Sequence, residues 1–201
     1  MRNHKTFNNL ILENETKRTK EIYIVLTQTS TLPSRAIRLY THEPYAHASI
    51  AFDEELMEMY SFARRGIYNP FNAGFIREYI DKGVFGRFES TDCRIYSLRI
   101  TVQQYNELRR VIEVFNENRH SYSYNYLGLI AAAFNIPIRS KQRYFCSQFV
   151  AYVLYQSGIH IFNKNIALVK PKDIRINPNL ELRYEGKLSQ YRTHRKRFQI
   201  A

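Results

Sequence analysis

Apolar and polar positions change period several times along this chain, and each change marks an element. The stretch EIYIVLT is a run of apolar and β-favouring residues and predicts a strand. STLPSRAIRLYT follows, with Pro33 where a first helical turn tolerates it and Ser30 or Thr31 ahead of it as cap candidates. AHASIAFD and LMEMYSFAR come next as two strands around the acidic turn Asp53-Glu54-Glu55, an antiparallel hairpin in which the strands bearing His47 and Glu58 are neighbours. From Gly66 to Gly83 the chain carries Pro70, Gly74 and several asparagines, which reads as a loop with a short helix in FIREYIDK.

The second half alternates strands with better-marked helices. CRIYSLRI predicts a strand, and Thr101 with Gln104 makes a capping-box pattern ahead of Leu108, Val111, Ile112 and Phe115 at helical spacing. SYSYNYLGLIAAAFNIP is tyrosine-rich and then apolar, a buried helix ending before Pro137. CSQFVAYVLYQSG predicts a helix with Cys146 on its first turn and a stop at Gly158, after which KPKDI and ELRYEGKL read as a late turn and strand. Hairpin strands with separate helices predict an α+β fold, an antiparallel sheet packed against helices. With 201 residues and no repeat, linker or composition break, the expectation is one domain over 1–201, with a charged extension at about 1–20 and a basic tail at about 192–201.

The chemistry concentrates at Cys146. The first amides and the positive end of a helix stabilise a thiolate, the form of cysteine that attacks a carbonyl carbon. The upstream strand supplies a base in His47, so a helix-borne nucleophile would face a strand-borne imidazole. His42 lies before a proline in THEP and reads as a turn residue; His120 and His160 carry no matching pattern. Cys93, in an alternating segment, reads as a small core residue. Two cysteines are too few for a disulfide framework, and neither has a close partner at zinc-ligand spacing, so no metal or other cofactor is expected.

Three pieces in order, PYAHASIAFD, MYSFARRG and YFCSQFVAYVL, resemble the permuted papain-like amidases, relatives of the NlpC-type cell-wall hydrolases and of the lecithin retinol acyltransferase group. In that family histidine precedes cysteine, and the likeness runs from EIYIVLT to YEGKLSQY. The resemblance implies a circularly permuted papain-like fold, Cys146 as nucleophile and His47 as its base. It also implies a third polar residue that orients the imidazole from the strand after the histidine. Glu58 has the most suitable chemistry for that place, because a carboxylate favours the imidazolium; Ser61 competes by position, and Tyr60 is the third option. Glu58 and Ser61 point to opposite faces of a regular strand, so only one of them can face His47.

What the resemblance implies functionally is a cysteine hydrolase working through a thioester, on an amide of a peptide or muropeptide. The acyltransferase branch gives the alternative, a lipid-directed thiol acyltransferase or phospholipid-acting hydrolase. A catalytically silent module that docks on anionic surfaces is the alternative of another class. Charge bears on that last reading: 30 Lys+Arg against 18 Asp+Glu leave a net charge of +12, part of it in the tail RTHRKRF. Such a balance favours anionic partners, a membrane surface among them, although a solvated basic face is the bland account. No zinc finger, phosphate loop or RNA-binding motif accompanies the charge, so nucleic acid is not an expected partner. There is no signal-peptide core and no long uncharged apolar run, which predicts a cytoplasmic protein, peripheral to the membrane at most.

Overall fold

The computed structural model describes residues 18–29, 43–66, 69 and 72–193. The helix expected around Pro33, and His42 with it, lie outside the described residues, as does the tail from 194 onward. The architecture is α+β: one six-stranded antiparallel sheet with helices packed on it. Its strands are β1 (Thr19–Gln28), β2 (His47–Ala51), β3 (Met59–Arg64), β4 (Ala73–Glu78), β5 (Asp92–Thr101) and, late in the chain, β8 (Glu181–Lys187). They lie in the order β4-β3-β2-β1-β5-β8. A small parallel pair, β6 (Ser123–Tyr124) and β7 (Arg143–Tyr144), stands apart.

β1 is central and buried on both faces, which is why EIYIVLT is a nearly continuous apolar run. Ile22, Ile24 and Leu26 join one core with Phe62, Phe75, Phe115, Phe149 and Val153, while Tyr23 and Val25 join a second with Met59, Phe85, Cys93 and Leu188. On the first face lie α2 (Val102–Glu117) and α4 (Cys146–Gln156). On the second lie α1 (Gly83–Arg87) and the 3-10 turn Leu188–Gln190. α2 starts as expected, with both arms of the Thr101–Gln104 capping box formed and Leu108, Val111, Ile112 and Phe115 buried. α4 ends where Gly158 takes φ +71°, a conformation that glycine adopts without strain.

The hairpin is present, with Ile50 opposite Tyr60 and Ala51 opposite Met59. Its turn is held by Asp53, whose carboxylate accepts from the amides of Met57 and Glu58 at 2.8 and 2.7 Å. Two expectations need correction. FIREYIDK holds no helix: Phe75 to Glu78 belong to β4, which pairs along the whole length of β3. The residues of β4 alternate between the two sheet faces, with Phe75 in the first core and Glu78 against His47, and the cross-strand bonds to β3 outweigh a short isolated helix. The segment after β6 does form a helix, α3 (Tyr126–Ala133), but a half-exposed one in which only Gly128, Ala131 and Ala132 are buried. KPKDI forms the short helix α5 (Pro171–Arg175), whose Pro171 opens it and whose Asp173 carboxylate accepts from the Lys170 amide. Among the described residues no helix is long and apolar enough to cross a membrane.

Candidate active site

Two elements from distant parts of the chain bring the thiol and the imidazole together. α4 buries Phe149, Val150 and Val153 against β2 and β3, and this seats its first residue, Cys146, against the start of β2. There the thiol lies 3.9 Å from the Ala46 carbonyl oxygen. The cap residue of α4 is Phe145, whose side chain can accept no hydrogen bond; only the Gln148 side chain reaches back, accepting from the Phe145 amide at 3.3 Å. The cap residue thus takes none of the leading amides, and that of Cys146 meets the Tyr124 hydroxyl. His47 opens β2, opposite Thr27 of β1.

His47 is 19% exposed and its Nε2 lies 3.0 and 3.2 Å from the two carboxylate oxygens of Glu78, itself 8% exposed. Ser49, two residues along β2, donates to Glu78 Oε2 at 2.5 Å. Glu78 is thus fixed by a hydroxyl on one oxygen and shared with the imidazole on both. Burial would push the imidazole down, but the Glu78 charge and hydrogen bonds to Cys146 and Glu78 outweigh it and hold His47 at about 10. For the thiol, burial acts upward; the hydrogen bond and charge of His47, then the Ala48 amide and the Tyr124 hydroxyl, bring Cys146 below its ordinary value. Both directions favour the thiolate–imidazolium pair.

The carboxylate on the imidazole is Glu78 and not Glu58. In the hairpin Glu58 shares the face of Tyr60, toward α2, where it is ion-paired with Arg109 and accepts from the Tyr60 hydroxyl at 3.0 Å. His47 and Ser49 point to the other face, together with Met59 and the residue opposite it in β4, which is Glu78. Ser61 is on the same face as His47 but donates to the Ala48 carbonyl at 2.6 Å. Tyr60 stacks on Phe75 in the first core. Sequence reading misses Glu78 because Pro70, Gly74 and the asparagines make its stretch read as a loop with a short helix; read as a strand, FIRE places a carboxylate in phase with the His47 face.

Tyr124 was also missed. β6 and β7 set it beside α4, with its hydroxyl 3.9 Å from Cys146 Sγ and hydrogen-bonded to the Cys146 backbone amide. Burial first, then the charge of Cys146, raises Tyr124 well above the ordinary tyrosine value, so it stays a neutral donor. A pocket of about 490 Å³ opens beside His47, walled by Ile76, Val84, Phe85 and Leu129, with Arg77 and Lys82 along it. Cys93 is buried on the same sheet face, in register with His47 through Thr27 but two strands away; both cysteines are free thiols. Among the described residues no three His, Cys, Asp or Glu side chains are grouped to hold a metal ion.

Compared with family models, with curated proteins and with solved structures, the chain finds no match.

Proposed function

We propose that the chain is a cysteine hydrolase that cleaves an acyl bond through a thioester on Cys146. The observation that carries this reading is the line Cys146–His47–Glu78–Ser49, in which a thiol lowered below its ordinary value meets an imidazole held up by a buried carboxylate. With Nε2 committed to Glu78, Nδ1 is the nitrogen left for the thiol. The thiolate attacks the acyl carbon and forms the C–S bond as the carbonyl electrons move to oxygen. The Tyr124 hydroxyl is the donor for that oxyanion, and the Cys146 amide, which donates to the Tyr124 oxygen in the free protein, turns to it as the oxyanion forms. As the tetrahedral species collapses, the bond to the leaving amine breaks and the His47 imidazolium gives it a proton. Water then attacks the thioester with its proton passing to His47, the C–S bond breaks, and the acid leaves.

This chemistry, a helix-borne cysteine following a strand-borne histidine, is what the permuted papain-like resemblance implies, and that resemblance makes an amide of a peptide or muropeptide the first substrate class to test. The mainly apolar pocket beside His47 supports a second reading, transfer or hydrolysis of a lipid acyl group. One experiment separates them. An activated peptide ester and a medium-chain acyl ester are each offered to the protein, and the Cys146 adduct is followed by mass spectrometry. Acylation of Cys146 by the peptide ester and turnover in water alone is the expected result. An adduct that clears only when an amine or alcohol is added would favour transfer, and acylation of Cys93, or none of Cys146, would overturn the thiol mechanism.

A further inference from the structure

Helix α3 is built inside out. The residues it buries are the small ones, Gly128, Ala131 and Ala132, whereas Leu127 and Ile130 stand 68% and 60% exposed. Ile136, at 56%, and Ile138 continue the exposed apolar surface in the loop that follows. A helix serving only the core turns its large side chains inward. Here the inner face is kept too small for that: a Cβ on Gly128 would lie 2.1 Å from the Asn125 side chain, which caps the helix by accepting from the Gly128 amide at 2.9 Å. Singly exposed apolar residues are ordinary, but a helix that presents its large ones and the loop behind it together make a patch.

Cations frame this ridge. Arg64 acts by its charge on the Tyr126 hydroxyl at the start of α3, and Lys170 Nζ lies 3.4 Å from Asn135 Oδ1 just past its end. Arg139 and Lys141 are exposed in the loop. Between Glu117 and Asp173 the chain has no acidic residue at all. The same helix reaches the candidate site, since Tyr126 and Leu129 line the pocket and Tyr124 immediately precedes the cap.

We infer that α3 and the loop after it form a docking surface for an anionic phospholipid bilayer, with the pocket mouth at the lipid interface. Large apolar side chains enter the acyl boundary while Arg64, Arg139, Lys141 and Lys170 meet headgroup phosphates, the pair of signals that stable peripheral binding requires. A second copy is the poorer occupant. A two-fold contact through this ridge would set cations against cations, with no carboxylate in the whole segment to answer them. The surface uses no residue of the basic tail and depends on no step of the thiol mechanism.

The test uses the full chain and flotation with vesicles of phosphatidylcholine, alone or with phosphatidylglycerol. The chain should bind the mixed vesicles, less at high salt, and bind the neutral ones weakly. Leu127→Ser, Ile130→Ser and Ile136→Ser combined should lower partitioning on the order of 100-fold. Arg139→Glu with Lys141→Glu should weaken binding and flatten its salt dependence. Alkylation of Cys146 in each variant shows that the fold is kept, and sedimentation velocity follows self-association. Vesicle binding that survives the triple variant, or is equal on neutral lipid, overturns the proposal. So does a triple variant whose only effect is to dissociate an oligomer, since the ridge would then be an interface between copies. Intact vesicle binding by a chain whose Cys146 is unreactive would leave this surface standing and overturn the hydrolase reading alone.

Discussion

Replacing Glu78 with glutamine keeps the shape of the side chain and removes its charge from the imidazole. Two opposite charges about 4 Å apart interact by about 4 kcal/mol at the effective dielectric found for partly buried pairs, which is about three pH units of titration. In the native chain His47 is held at about 10 against burial, which acts downward, chiefly by the Glu78 charge. Glu78→Gln should therefore bring the imidazole to about 7, read by NMR of the ring protons, and should move the pH midpoint of Cys146 alkylation upward because the imidazolium that stabilises the thiolate is lost. The sign for stability follows from the raised histidine. Its contribution is fully present below the ordinary value of 6.5 and is lost as pH rises through about 10, so the urea-stability gap between wild type and Glu78→Gln should be open at pH 6 and closed above about 10. Glu58→Gln is the control, since that carboxylate serves Arg109 and Tyr60. If Glu58→Gln moves the Cys146 midpoint and Glu78→Gln leaves it in place, the assignment of the carboxylate is wrong.

Other outcomes follow from the same geometry. Cys93 should be silent to iodoacetamide at neutral pH while Cys146 labels, because burial and then the Asp92 and Glu185 charges push Cys93 up to about 12; peptide mapping after brief alkylation reads the ratio, and faster labelling of Cys93 would contradict it. Tyr124→Phe should lower turnover of an acyl ester about 100-fold while Cys146 remains alkylable, a split that a loss of folding would not give. Phe149→Ala, at a fully buried ring between Phe62, Phe75 and Phe115, should cost about 3–5 kcal/mol in urea unfolding. Removing residues 194–201 should leave Cys146 alkylation unchanged: Arg192 still donates to the Glu55 carbonyl at 3.1 Å, and Tyr191 to that of Glu54 at 2.8 Å.

Local signals were legible where a single element decides them. The Thr101 capping box, the apolar stripe of α2 and the Gly158 stop depend on neighbours within a turn, and all are seen in the structure. The placing of Cys146 at a helix start and His47 on a strand was equally local. Which carboxylate meets His47 was not local, because it depends on which strand lies beyond β3 and on which face its side chains emerge. Glu58 is near in sequence but on the face of α2, whereas Glu78 comes from a strand inside a stretch whose Pro70, Gly74 and asparagines read as a loop with a short helix. The exposed ridge of α3 was hidden for a related reason. Composition marks YLGLIAAA as apolar, but only the packing of Gly128, Ala131 and Ala132 tells which side is in.

Cys146 and Tyr124 come from the second half of the chain, His47 and Ser49 from β2, and Glu78 from β4, so the thiol meets its imidazole only across nearly a hundred residues. Contacts of such sequence separation form only once the cost of closing the intervening loop has been overcome. A chain still emerging from the ribosome would hold a cysteine of ordinary acidity, because its partners are already made but α4 has not yet docked on the sheet. Reactivity toward an electrophile at neutral pH is then a readout of completed assembly. A pulse of alkylating agent during refolding would timestamp each molecule at the moment the helix seats, and the order of labelling against tyrosine fluorescence would show whether the sheet waits for that helix or precedes it.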